Sequence, residues 1–286
     1  MNNIKKTSPD KQVFLQRTTA IAKPPKSLWH IGKLPENVPT VAIVGSRKPT
    51  EYGKGVTLKL ASQLAARGVV IVSGLALGHD ALAHRGALDG GGTTVAVLGS
   101  GLNDITPRTN IGLAQELLRR DGAIISEYEP DMPVHPGSHL ARNRLISALA
   151  DVVVIVEAGL KSGTLNTAMH ALDQNKELMV VPGNITSPLS AGCNKLLSQG
   201  ATPLLSVDDV LEKLGMTSIA EQDGELPLVS TESERLILEI IKSGVIDGDR
   251  IIAELGQTAA EFNRSITMLE LSGAVRSLGA NRWVLR

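Results

Sequence analysis

The sequence predicts an α/β protein: a parallel sheet with helices on both faces, followed by a small C-terminal winged helix-turn-helix domain. Three observations carry this expectation. Short apolar, β-branched runs alternate with helically spaced segments between residues 41 and 214. The runs lack a polar face, as strands buried on both sides do. Beyond a polar stretch, three helical segments end in two short strands.

Taken in order, Val41–Val44 reads as a buried strand ending at Gly45. Glu51 to Arg67 has helical spacing through Val56, Leu60 and Leu64 and stops at Gly68. Val69–Val72 is a second strand, Ala81 to Leu88 a short helix, and Thr94–Leu98 a third strand. Ile111 to Arg120 is helical, Ala123–Ser126 a strand, Ala141 to Ala150 helical, and Val152–Val156 a strand. Gly163 to Gln174 is helical and Leu178–Val181 a strand. Residues 215–228 form a polar linker. In the domain at 229–286, Ser233 to Ser243, Arg250 to Leu255 and a segment capped by Thr258 and running to Leu271 are helical. Gly273–Leu278 and Arg282–Leu285 then pair across a Gly-Ala-Asn turn, giving the wing. The first forty residues, with Pro24, Pro25, Pro35 and Pro39, read as a basic, partly disordered arm.

Composition narrows the function. The 286 residues are 42% apolar and 20% charged, a globular composition. Aromatics are 2%, too few for rows of rings that stack bases. One cysteine, Cys193, allows no disulfide framework and no cysteine zinc site, and is expected to be a packing residue. No membrane-spanning run and no secretory leader are visible, so a reduced, cytoplasmic protein is expected. The net charge is zero but uneven. Residues 1–40 carry seven Lys/Arg against two Asp/Glu, residues 41–225 fifteen against nineteen, and residues 226–286 seven against eight. Any nucleic-acid site must therefore be a local cluster.

Ligands of open parallel sheets bind beyond the carboxyl ends of the strands, so the residues after each strand matter most. Gly45-Ser46-Arg47 follows the first strand. Glycine permits close approach, the amides ahead of a helix favour an anion, and Arg47 adds a forked cation. Ser73-Gly74 begins a second small-residue loop, and Lys161-Ser162-Gly163-Thr164 a third. Together they point to a phosphate-bearing ligand. Arg108 adds a cation near the third strand. Arg142 and Arg144 flank Asn143 so that one can reach the ligand edge while the other braces the sheet. Dinucleotide and P-loop fingerprints are both absent. Asp80 and His84 share a helix face, but without further ligands Asp80 reads as a cap and His84 as its partner. No catalytic residue, metal or cofactor is expected.

These loops resemble the DNA-processing protein A (DprA, Smf) family. The similar segments are Val-Gly-Ser-Arg-Lys-Pro-Thr-Glu-Tyr-Gly (44–53), Ser-Gly-Leu-Ala-Leu-Gly-His-Asp-Ala-Leu-Ala-His (73–84), Ala-Val-Leu-Gly-Ser-Gly-Leu (96–102), Ser-Glu-Tyr (126–128), Arg-Asn-Arg-Leu-Ile-Ser (142–147), Glu-Ala-Gly-Leu-Lys-Ser-Gly-Thr-Leu (157–165) and Val-Pro-Gly-Asn (181–184). The resemblance implies an extended Rossmann-like domain at 41–214 that binds single-stranded DNA, protects incoming DNA and loads the RecA recombinase in natural transformation. It also implies a homodimer and a binding mediator rather than an enzyme. Gly45, Ser46, Arg47, Ser73, Gly74, Arg108, Arg142, Arg144, Ser162, Gly163 and Thr164 fall on the expected DNA-lining positions, with Lys161 beside them.

The chain departs from the family pattern in places. His139-Leu140 replaces an aromatic-Pro pair, leaving His139 to stack on a base. His79 stands for the usual Ile, and Thr106 for a Tyr. The N-terminal helical domain of larger members is reduced to forty residues. The alternative is an enzyme of the Rossmann-fold nucleotide phosphoribohydrolase type, whose catalytic Glu would stand where this chain has Thr167. A sequence-specific regulator using the winged helix is a third class. Against duplex reading, the third helix of that unit offers Glu261 and Glu270 against Arg264, with Asn263 its one side-chain amide. The remaining basic groups of the wing are Arg276, Arg282 and Arg286.

Overall fold

The computed structural model describes residues 4–216, 231–271, 274–279 and 281–285. The chain divides into two compact units, residues 1–216 and 217–286. All but Gly215 and Met216 of the expected linker lies outside the described residues.

The first unit opens with β1 (Lys5–Thr7), a short α1 (Val13–Gln16) and β2 (Leu28–Gly32). Then come β3 (Thr40–Val44), α2 (Glu51–Ala66), β4 (Val70–Ser73), α3 (His79–Asp89), β5 (Thr94–Leu98), α4 (Ile111–Arg119) and β6 (Ala123–Ser126). The series continues with α5 (Ser138–Leu149), β7 (Val152–Ile155), α6 (Thr164–Asp173), β8 (Glu177–Val180), α7 (Ala191–Ser198), β9 (Thr202–Pro203) and α8 (Val207–Lys213). The strands make one sheet in the order β1-β2-β6-β5-β4-β3-β7-β8-β9. From β6 to β9 every neighbouring pair is parallel.

Alternation along each strand sends side chains to opposite faces. Ala42, Val44, Val72, Val153 and Ile155 meet α5, α6 and α7 through Leu145, Ile146, Leu149, Ala168 and Cys193. Val41, Ile43, Ile71, Val152 and Val154 meet α2, α3 and α8 through Leu60, Leu64, Ala83 and Leu211. Further along the sheet, Ala96, Leu98 and Ile124 pack on α4. Covered on both faces, the central strands have no polar alternation, which is why the sequence shows unbroken apolar runs.

Residues 4–40 do not form the expected arm. β2 pairs antiparallel with β6, and β1 pairs antiparallel with β2, so the sheet is extended at one edge by residues expected to lie outside it. Phe14 and Leu15 are fully buried, and Arg17 donates to Asp151 at 3.0 Å, Leu149 O at 3.0 Å and Val38 O at 3.2 Å. Lys6 sits over the Trp29 ring at 4.9 Å. The prolines forbid a long helix but not an edge strand.

The second unit contains α9 (Glu232–Lys242), α10 (Gly248–Leu255), α11 (Ala259–Leu271) and a hairpin of β10 (Val275–Gly279) and β11 (Arg282–Leu285). Thr231 caps α9 and Asp247 caps α10, each accepting from a first-turn amide. Ile237, Ile241, Ile251, Phe262, Ile266 and Val275 form its core. This is the expected winged helix.

Candidate nucleic-acid interface

The chain leaves β3 for β4 on one side and returns to β7 on the other. Loops that follow β3 and β7 therefore diverge at the carboxyl edge, where open α/β sheets take ligands. A cleft of about 440 Å³ opens there. Its walls are Gly45, Ser46 and Arg47 after β3, Ser162, Gly163 and Thr164 at the amino end of α6, and His139, Leu140, Arg142 and Asn143 on α5.

The loop after β3 is held from two sides. Ser46 N donates to Glu157 O at 2.8 Å, and Ser46 O accepts from His79 N at 3.3 Å. Gly78 has φ +78°, and a side chain there would strike Ser46 O and Arg47. Ser46 Oγ closes a turn over Lys48. Arg47 is left exposed at the cleft, with no ion pair among the described residues. Across the cleft, Ser162 Oγ accepts from Thr164 N at 3.2 Å and donates to Thr164 Oγ1 at 3.0 Å, shaping the start of α6.

Arg142 forms the floor rather than the rim. It is 4% exposed, and its Nη1 donates to Gly74 O at 2.7 Å and to Val97 O. Its Nε has no partner. Gly74 is glycine because a Cβ would collide with the guanidinium. Asp80 lies nearby and accepts from Gly74 N at 3.1 Å. Burial pushes its carboxyl pKa up, and the Arg142 charge pulls it back down. Ser73, fully buried, donates to Ile43 O at 2.7 Å. Ser73 and Gly74 therefore build the floor and cannot touch a strand lying in the cleft.

His139 lies at the cleft because α5 starts at Ser138, three residues before the position its periodicity gives. Burial lowers its pKa, and the Arg142 and Arg47 charges lower it further, so the ring is neutral near pH 7. Besides Ser73 and Gly74, three further expected positions do not line the cleft. Arg144 is paired with Glu127 at 2.7 Å and donates to Lys23 O at 3.1 Å, tying α5 to the N-terminal segment. Arg108 is exposed in a turn whose working side chain is Asn110, which donates to Leu75 O at 2.8 Å and Ala76 O at 3.2 Å. Those bonds hold Leu75 at φ 56°. Lys161 is exposed, one residue ahead of the lining.

Sequence reasoning missed a buried polar chain behind the Gly-Ser-Arg loop. Glu157 is 2% exposed; its Oε1 accepts from Thr50 Oγ1 at 2.6 Å and its Oε2 from Thr50 N at 2.9 Å. His79 Nε2 stands 3.0 Å from the same Oε2, and His79 Nδ1 stands 2.7 Å from Thr57 Oγ1. An ionised carboxylate only accepts, so Nε2 carries a hydrogen toward Glu157, while the single Thr57 hydroxyl hydrogen is shared between His79 Nδ1 and Gly53 O, 2.8 Å away. A Cβ on Gly45 would collide with the His79 ring, so this glycine makes room for the histidine. The signal was the pairing of His79 with a Glu two residues past β7. Asp80 is not the cap of α3, since Gly78 holds that position. His84 does not meet Asp80 either; its Nδ1 bonds Thr94 Oγ1 at 2.7 Å, and burial drives its pKa down to about 3.

The cleft thus offers an unpaired guanidinium, a helix amino end and an imidazole, above a floor where the buried acid faces a buried cation. That set suits a phosphodiester with an adjoining base. Thr167 lines the same cleft where a hydrolase would need its acid. Among the described residues no cluster of three or more His, Cys, Asp or Glu could hold a metal, and no helix is long and apolar enough to cross a membrane.

The model of the family described as DNA recombination-mediator protein A matches residues 6–215, and that of the DprA winged helix domain matches residues 223–281. The chain is 38% identical over 274 residues to the putative DNA processing protein DprA of Mycobacterium tuberculosis, covering 92% of this chain and 69% of that one. It is 37% identical to the protein Smf of Escherichia coli, covering 83% and 66%. The solved DNA processing protein A of Helicobacter pylori, described for its single-stranded DNA binding mode, is 36% identical with a TM-score of 0.65 over 74% of this chain and 95% of that one. The DNA processing protein A of Streptococcus pneumoniae is 33% identical with a TM-score of 0.69 over 74% of each.

Proposed function

This chain belongs to the DNA recombination-mediator protein A family, and from that premise we propose that residues 41–214 hold single-stranded DNA along the carboxyl edge of the sheet. Phosphates lie between Arg47 and the Ser162-Gly163-Thr164 start of α6, with Lys161 beside them, and His139 stacks on a base. The protein, a cytoplasmic homodimer, protects incoming strands and loads RecA on them in natural transformation. It acts by binding; release of free base from a nucleoside monophosphate would overturn that part, which rests on Thr167 standing in the cleft at the position where a hydrolase of that type would carry its acid.

The observation that carries the reading is Arg47, an exposed guanidinium without a carboxylate partner among the described residues, at the mouth of a cleft whose acid is buried. The test is an anisotropy titration with single- and double-stranded oligonucleotides at two salt concentrations. Single strands bind more tightly, and affinity falls with salt as counterions are released. Arg47→Ala weakens single-strand binding by about 1–3 kcal/mol, as the loss of a charge-assisted contact does. Equal binding by Arg47→Ala and the parent sinks the assignment.

A further inference from the structure

Two segments of the sequence remain unused by the cleft: Tyr52, in the Thr-Glu-Tyr run that opens α2, and the Val-Pro-Gly-Asn run at 181–184. They meet. A second cavity, about 570 Å³, opens at the carboxyl ends of β7 and β8, at the other end of the Gly45–Thr50 connection from the cleft. Tyr52, Glu157, Gly183, Asn184, Ser187 and Ser190 line it, and among the described residues no lysine or arginine does. A wall carrying a carboxylate and no cation repels phosphate and takes hydrogen-bond donors.

Two acceptors there have spare capacity. Glu157 Oε1 accepts a single bond, from Thr50 Oγ1. Ser190 is 5% exposed, yet its hydroxyl caps no amide of α7. Gly183 has no side chain to cover that hydroxyl, and a Cβ there would collide with it. Asn194 fixes the Gly183 backbone from both sides, taking Gly183 N at 3.3 Å and giving to Gly183 O at 3.0 Å. At the rim, Tyr52 is 56% exposed with its hydroxyl on Pro182 O at 3.1 Å, which leaves an aromatic face in solvent beside the cavity.

We propose that this cavity is a nucleobase pocket that prefers guanine. The inference rests on the single-strand reading of the neighbouring cleft. Guanine presents N1–H and its N2 amino group side by side, two donors matched to Glu157 Oε1 and Ser190 Oγ. Thymine offers one N–H between two carbonyls, and those oxygens face a carboxylate. Tyr52 supplies the stacking surface, which is sequence-tolerant, and the carboxylate supplies the choice. Ser46 N on Glu157 O at 2.8 Å makes the two sites share a wall, so a strand held by Arg47 continues into the pocket.

The test is anisotropy on the full chain with an oligothymidylate and the same strand carrying one central guanine. The parent prefers the guanine strand about fivefold, the low end for a two-bond base contact. Ser187→Leu, which fills the mouth, abolishes the preference, so that the two strands bind alike. Ser190→Ala reduces the preference without disturbing α7 and serves where Ser187→Leu fails to fold. Arg47→Ala weakens both strands equally and leaves the ratio. Equal binding of the two strands by the parent overturns the pocket and leaves the Arg47 reading standing. A preference untouched by either serine variant also overturns it, and binding of neither strand overturns both.

Discussion

The carboxyl edge of the sheet and the surface of α11 are the two places where these folds ordinarily meet nucleic acid. They differ in what their charges are free to do. At the sheet edge Arg47 is exposed and unpaired among the described residues, and the acid of the cleft, Asp80, is 6% exposed over the Arg142 floor. On α11 the exposed side chains include Ala259, Ala260, Asn263, Thr267 and Met268, with Glu261 and Glu270 against Arg264. Glu261 is engaged at the cap, accepting from Thr258 N at 2.8 Å and Thr258 Oγ1 at 2.7 Å. Arg276 and Arg282 are exposed on the hairpin, while Arg286 lies outside the described residues. A fold supplies a position for DNA; unpaired charge at that position decides whether DNA is held there.

The comparison breaks most visibly at Arg142. Arg142→Met leaves Asp80 buried without its counter-charge and strips the donor from Gly74 O and Val97 O, costing about 3–5 kcal/mol. Each unit carries one tryptophan, Trp29 and Trp283, so urea unfolding read by single-tryptophan variants assigns the loss. The Trp29 transition moves and the Trp283 transition stays. An unmoved Trp29 transition would show that the floor is dispensable.

Acid separates the units next. All six histidines lie in residues 1–216. His84 has a folded pKa of about 3, below its unfolded value, so the unfolded chain binds the proton first. Its contribution is full above about pH 6.5 and is lost as pH falls toward 3, at about 1.4 kcal/mol per pH unit. The lowered pKa values of His79 and His139 act with the same sign. Denaturant midpoints of the Trp29 transition should fall between pH 6.5 and 4.5, and less steeply in His84→Asn. Identical slopes would remove His84 from the account.

Binding effects are smaller. His139→Ala loses about 1 kcal/mol of single-strand affinity, the low end for a base stacked on a ring, and His139→Phe gains; two neutral variants would leave His139 a bystander. Smallest of all is the change at α11. Arg264→Glu alters single-strand affinity by less than about twofold, since one exposed charge outside the contact acts through screened distance. A tenfold loss in the same titration would make the winged helix a DNA reader and reverse the comparison.

Much of this was legible from short stretches of chain. Apolar β-branched runs marked β3 to β8, and small residues after β3 and before α6 marked the cleft, because strand periodicity and turn chemistry are set within about ten residues. Helix starts were read less well: α3 and α5 begin two and three residues earlier than periodicity gives, which places His79, Asp80 and His139 in first turns. Caps such as Gly78 and Gly137 depend on backbone conformation, and the alternation of apolar side chains does not record it.

By itself, the sequence determined the parallel α/β core, the separate winged helix, and the loops that gather at the sheet edge. Only the tertiary structure decided what each charge does. Arg142 and Arg144 are two residues apart, yet one is buried against Gly74 and Val97 and the other is paired with Glu127. The basic N-terminal segment became edge strands because β6 offered an open hydrogen-bonding edge and Asp151, 134 residues away, received Arg17. His79 and Glu157 meet across 78 residues of chain. The physical reason is the range of the forces: local periodicity selects helix or strand, whereas the partner of a charge is chosen by long-range packing, and burial makes an unmatched choice costly.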